Sequence, residues 1–283
     1  SINWTNGFLP AQHQGVVMRS SGVAIDDLAV PAGISPSQEL ATRSLLKKLN
    51  ENLNARQGQD NDLTARVKSY ELAARMQRVV PEITDLGRED QATHDLYGVG
   101  DPTANDFARS CLLTRRLLEH GVRFVQLFAG GAFQSPRVNW DGHENCKKNH
   151  QREAGRIDQP VAGLIKDLKQ RGMLEDTVIL FTSEFGRTPF AESAADVVGP
   201  GRDHNQNGFS VWVAGGAFKG GMNYGSTDPV GYAATENRVH WNDFHATILY
   251  ALGIDHKRLT YYHNGIQRRL TNVSGKVIND ILS

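Results

Sequence analysis

Thr177-Val178-Ile179-Leu180-Phe181-Thr182 runs directly into Ser183-Glu184-Phe185-Gly186-Arg187-Thr188-Pro189. The first six residues form an almost continuous apolar run, the pattern of a strand buried on both faces, as in a parallel sheet covered by helices. The polar run begins where that strand ends. Upstream, Ile157 to Gln170 carries Val161, Leu164, Ile165 and Leu168 on one helical face, with Gly172 as terminator. Earlier still, Phe107 to His120 reads as a helix stopped by Gly121, and Val122-Arg123-Phe124-Val125-Gln126-Leu127-Phe128 reads as a strand. Downstream, Phe209 to Ala214 reads as a strand and Trp241 to Leu252 as a helix ended by Gly253. This alternation predicts an α/β fold: a mostly parallel central sheet flanked by helices.

Outside that region the chain changes character. Residues 1–34 are loop-rich, punctuated by Pro10, Pro31, Gly7, Gly15, Gly22 and Gly33. A helix is expected to start at Ser35-Pro36-Ser37 and run through Leu40, Leu45, Leu46 and Leu49. A second, over roughly 62–79, has Leu63, Val67, Tyr70, Ala74 and Met76 near helical spacing, with Pro81 as its stop. Residues 35–97 therefore read as a helical insert within one domain spanning 1–283.

The 283 residues suffice to bury a core, and 31 basic side chains balance 31 acidic ones. That balance offers no basic stripe for nucleic acid or anionic lipid, and no apolar run approaches the roughly 20 residues that span a bilayer. Two cysteines, Cys111 and Cys146, permit one disulfide at most, and Cys111 lies among helical leucines, which favours burial over reactivity.

Three loops carry metal-competent chemistry. Asn139-Trp140-Asp141-Gly142-His143-Glu144-Asn145 sets a carboxylate and an imidazole two residues apart across a glycine, a mixture that zinc accepts. In the second loop, Glu184 sits at the mouth of an apolar strand, where its charge needs compensation by a metal or by Arg187. An arginine there also suits a planar oxyanion such as phosphate or sulfate. The third, Gly199-Pro200-Gly201-Arg202-Asp203-His204-Asn205, again joins Arg, Asp and His. Any one of these reads as readily as a solvated or capping loop. Three together are harder to assign to chance.

Other features carry less. Ala214 to Gly221 is glycine-rich but lacks the order of a phosphate-binding loop, and reads as a turn bringing backbone close to the site. His240, Asp243 and His245 are explained by capping and burial of a helix, and His256 and His263 read as surface residues. No serine occupies a nucleophile elbow.

Five stretches then carry a resemblance: Ser69-Tyr70-Glu71-Leu72-Ala73-Ala74-Arg75-Met76-Gln77, Trp140-Asp141-Gly142-His143, Asp158-Gln159-Pro160, Glu184-Phe185-Gly186-Arg187-Thr188-Pro189 and Gly201-Arg202-Asp203-His204. They resemble the bacterial "domain of unknown function 1501" family, grouped with the alkaline phosphatase and sulfatase superfamily. Asp243 to Leu249 with Leu252-Gly253-Ile254 is similar to a helix near the end of sulfatases. The resemblance implies an alkaline-phosphatase-like sheet and a site for one or two divalent ions, zinc first, with calcium or magnesium as alternatives. Asp141, His143, Glu184 and His204 correspond to metal ligands, and Arg187, Arg202 and Asp203 to groups near the substrate. Phe185 stands where the superfamily has a further His ligand, a gap that Asp203 or water would fill. The superfamily's nucleophile lies on a first strand upstream of anything here, so the chain reads as N-terminally incomplete.

The implied activity is metal-dependent hydrolysis of a small or polymeric phosphate or sulfate ester, in an extracytoplasmic setting. An inactive metal- or anion-binding member of the same fold is the alternative, and a phosphate-transferring mutase a third.

Overall fold

A computed structural model describes residues 9, 13–26, 28, 30–57, 61–130, 139–194 and 197–283. Of the loop-rich 1–34 stretch, residues 1–8, 10–12, 27 and 29 lie outside this description. The chain divides into two units, one of Ser1–His94 with Leu112–Val125, the other of Asp95–Cys111 with Gln126–Ser283.

In the first unit, α1 (Pro36–Gln57) begins as expected, because Ser35 and Gln38 cap it reciprocally. The Gln38 amide N–H donates to Ser35 Oγ at 3.3 Å, and the Ser35 N–H donates to Gln38 Oε1 at 2.9 Å. α2 (Asn61–Thr84) runs antiparallel to it, since Arg43 bonds Gln77 while Lys47 lies 3.6 Å from Glu71. Pro81, expected to end this helix, instead sits within its final turn, where it removes a single ladder bond. The end comes at Thr84, where Arg116 takes over the freed carbonyls: Nε donates to Ile83 O at 2.6 Å and Nη2 to Glu82 O at 2.7 Å. Leu40, Leu45, Leu46 and Leu49 on α1 are exposed.

α3 (Gln91–Tyr97) and α4 (Asn105–Glu119) each pass from one unit's residues to the other's. On α4, Cys111 and Leu112 are fully buried, as the leucine surroundings of Cys111 implied, and Cys111 is a free thiol. Arg115 and Arg116 share Glu89, with Arg115 Nη2 2.5 Å from Glu89 Oε2.

The second unit is organised by α5 (Cys146–Gln170), which starts well before Ile157 because Asn145 caps it, accepting from Lys148 N–H at 3.0 Å. Its early turns are too polar to show an apolar period. Within the same unit, a Cβ on Gly163 would lie 2.7 Å from Leu96 O, so only glycine permits that approach. Tyr97 donates to Asp167 Oδ2 at 2.9 Å, and Arg171 Nε holds the other carboxylate oxygen at 2.7 Å.

The expected mostly parallel central sheet, with its alkaline-phosphatase-like architecture, is corrected here. The described strands form small antiparallel pairs: β1 (Ile179–Phe181) with β6 (Trp212–Ala214), β2 (Gly186–Arg187) with β5 (His204–Asn205), and β3 (Ser193–Ala194) with β4 (Val197–Val198). β7 (Ser226–Thr227) pairs with β8 (Ala234–Glu236), and β9 (Thr260–His263) with β10 (Ile266–Arg269). Val122–Phe128 joins no described strand, and Phe124 remains exposed. Its β-branched and aromatic residues favour a strand, but a ladder also needs a partner. Between β1 and β6 the chain makes short pairs and loops rather than a crossover helix, so the two strands meet antiparallel, with Leu180 opposite Val213. Phe181 and Trp212 stack at 5.6 Å on one face.

Two smaller expectations also change, and a third holds. The 214–221 turn forms, but its backbone approaches Leu174 O and Thr177 O, not the three site loops. His256 is 5% exposed, its Nδ1 2.8 Å from Thr271 Oγ1, and His263 is half-buried. α6 (Trp241–Ala251) uses His240 as its N-cap, with Asp243 accepting from Lys276 N–H at 2.7 Å and His245 Nδ1 2.8 Å from Trp241 O. Capping and local bonding account for that trio, as its sequence suggested.

Candidate metal centre

The β2–β5 pair builds the centre. Arg187 stands directly opposite His204 and Gly186 opposite Asn205, so Arg187 and His204 project from the same face. The ladder continues beyond the formal strands, with Thr188 N–H donating to Asp203 O and Glu192 N–H to Gly201 O, each at 2.9 Å. The Asp141 loop is sewn to the other side of this segment: Arg202 N–H donates to Gly142 O and Cys146 N–H to Pro200 O, each at 3.2 Å. A Cβ on Gly201 would fall 1.6 Å from His143 O, so residue 201 must be glycine for the two loops to meet.

That junction brings Asp141, His143 and His204 together, their candidate ligand atoms all within 4.8 Å of one another. His204 Nε2 lies 3.1 Å from Asp141 Oδ1 and 3.1 Å from His143 Nε2, and His143 Nε2 lies 3.3 Å from Asp141 Oδ1. Donors at zinc bonding distance around a tetrahedral ion stand about 3.3 Å apart, so the residues fit such an ion with little movement. Catalytic zinc generally takes three protein ligands and structural zinc four. Calcium and magnesium fit less well, because two of the three donors are nitrogen.

Arg187 enters the cluster. Its Nη2 donates to Asp141 Oδ1 at 2.6 Å, and its Nη1 lies 3.3 Å from His143 Nε2 and donates to Arg202 O at 3.2 Å. Partial burial works against the Asp141 carboxylate, but hydrogen bonds from Arg187 and His204 and the charges of His143 and Arg187 outweigh it. Its pKa is held below the ordinary 3.8.

The other predicted site residues are placed differently. Glu184 is exposed and outside the cluster; its neighbour Phe185 turns inward, its ring 4.0 Å from that of His204. Arg202 bends its guanidinium back to Gly201 O at 2.7 Å, and the Asp203 carboxylate accepts from His204 N–H at 2.7 Å, orienting the loop. Sequence reasoning missed Glu192, whose Oε2 lies 2.7 Å from His143 Nδ1. Nothing in Ala191-Glu192-Ser193 marks it. A cleft of about 420 Å³ opens beside His204, with Phe185, Tyr232, Gln206 and Asn207 on its walls.

Fold and cluster together define a helix-rich protein with small antiparallel sheets and a convergent Asp/His donor set. The family model described as "Protein of unknown function (DUF1501)" matches residues 1–282, and the chain belongs to that family. No curated protein and no solved structure matches it. No helix among the described residues is long and apolar enough to cross a membrane.

Proposed function

We propose that the chain binds one divalent ion, zinc by the chemistry of its donors, through Asp141, His143 and His204, and hydrolyses a phosphate or sulfate ester beside it. The observation that carries this reading is the convergence of one carboxylate oxygen and two imidazole nitrogens at 3.1–3.3 Å from one another, from loops far apart in sequence. When bound, such an ion polarises an ester oxygen. Arg187 supplies a planar fork of donors at the same place, suited to the remaining oxygens of a tetrahedral anion. The cleft beside His204 receives the rest of the ester. The motif resemblance to the alkaline phosphatase and sulfatase superfamily points to the same reaction class, without its sheet.

The test is metal content by mass spectrometry after dialysis, alongside turnover of p-nitrophenyl phosphate and p-nitrophenyl sulfate. Wild type is expected to retain zinc at one equivalent, and Asp141→Asn and His204→Ala to lose both metal and turnover. Full metal content in both variants would end the assignment.

A second reading has its own observation: Arg187 already neutralises Asp141 without an ion. On that reading the centre binds an oxyanion and catalyses nothing. Zinc-loaded protein that binds phosphate calorimetrically but turns over neither ester would favour it.

A further inference from the structure

We infer that Glu192 is a positioning residue that fixes His143 in the tautomer able to bind metal, an inference that rests on the metal reading above. A carboxylate accepts hydrogen bonds and cannot donate them, so the 2.7 Å contact between Glu192 Oε2 and His143 Nδ1 places the ring proton on Nδ1. In the neutral ring the lone pair then resides on Nε2. That is the nitrogen 3.1 Å from His204 Nε2 and 3.3 Å from Asp141 Oδ1. In the opposite tautomer, Nε2 would carry a proton where an ion must bind.

The backbone shows why this carboxylate is held where it is. Glu192 N–H donates to Gly201 O at 2.9 Å, so the residue hangs from the segment that presents His204. A Cβ on Gly199 would lie 2.7 Å from Glu192 O, and one on Gly201 would lie 1.6 Å from His143 O. Two glycines thus let one segment, 199–201, come close to the main chains of both Glu192 and His143, and the carboxylate meets the ring's outer edge. A carboxylate behind a ligating imidazole fixes ring orientation and raises ligand basicity, and its loss typically weakens metal binding about 10–100-fold.

Long-range proton–nitrogen NMR of the metal-free protein, assigned with His143→Ala, reads which ring nitrogen is protonated. Competition against a chromophoric chelator reads zinc affinity. Wild type is expected to show the Nδ1–H form. Glu192→Gln, whose amide oxygen still accepts that proton, should keep the tautomer and lose at most about tenfold in zinc affinity. Glu192→Ala should move His143 toward Nε2–H and lose about 10–100-fold. Unchanged tautomer and unchanged zinc affinity in Glu192→Ala would overturn the inference. A wild type that binds no zinc overturns the metal reading instead, while a tautomer shift in Glu192→Ala would still uphold the positioning role.

Discussion

Arg187 donates from Nη2 to Asp141 Oδ1 at 2.6 Å, across 46 positions of sequence. The guanidinium therefore stands against the oxygen an incoming ion must claim, and it carries the same sign of charge. On the metal reading, ion and arginine would compete for one carboxylate. Arg187→Ala should tighten zinc binding by about tenfold, since a like charge within a few ångströms of the ion is removed. The same change should weaken phosphate binding. Titration calorimetry of each ligand checks both signs, and weaker zinc binding in the variant would contradict the competition.

Gly201→Ala forces a methyl group onto His143 O, where no flexible side chain can yield. The loops on either side must separate, which should lower stability by about 1–3 kcal/mol and abolish retention of zinc. Denaturant melts and metal analysis of the same sample separate the two effects. A variant as stable and as metal-rich as wild type would show that the loops do not depend on this contact.

Glu89 lies between Arg115 and Arg116, and Arg115 is almost completely buried. Burial works against the Glu89 carboxylate, but the hydrogen bonds and charges of the two arginines outweigh it and hold its pKa below the ordinary 4.5. The stability it contributes is fully present above 4.5 and is lost as pH falls through the lower folded value. Glu89→Gln should therefore be less stable at neutral pH and lose less of its remaining stability under acid. Thermal melts between pH 7 and the acid limit of folding test the slope. Glu89→Ala should cost about 3 kcal/mol, because Glu119 still accepts from Arg115 at 2.7 Å.

The two thiols should differ sharply in reactivity. Cys111 has no exposed surface, and burial pushes its pKa up to about 12, whereas Cys146 is half-buried at the start of α5. Iodoacetamide at pH 8 is expected to modify Cys146 alone until the chain is denatured. Peptide mass spectrometry reads this directly, and early alkylation of Cys111 would mean that the α4 core opens readily.

Tyr97→Phe removes a buried donor from Asp167 Oδ2, while Arg171 Nε still donates to the other carboxylate oxygen at 2.7 Å. The expected loss is about 1.5–3 kcal/mol, typical of a hydrogen bond to a charged group. A loss below 0.5 kcal/mol, about the scatter of surface substitutions, would show that water replaces the hydroxyl.

The helices were legible because their signals are local. Ser35 before Pro36, the apolar face of Ile157 to Gln170, and Gly253 after Leu252 each act within a turn or two. The sheet was not legible, because Thr177–Thr182 fits a buried parallel strand and an antiparallel one equally well, and the choice depends on Trp212–Ala214 far downstream. For the centre, Asp141, His143 and His204 could be picked out since each sits in a glycine-bearing loop with other polar donors. Glu184 was chosen by the same chemistry, but it is the ring of Phe185 that packs against His204, while Glu184 stays exposed. Glu192 gave no signal, because its importance comes from the register of Gly201 against it rather than from its neighbours.

Asp141 and His204 are separated by 63 positions. During synthesis the ribosome releases Asp141 and His143 well before the second histidine is made, and bringing ends that far apart together costs about 4 kcal/mol of chain entropy. A nascent chain thus offers a passing cation two donors at most, too few for tight capture. On the metal reading, metallation would then be a late event, withheld until both loops have closed, and that delay would protect the growing polypeptide from trapping the wrong ion.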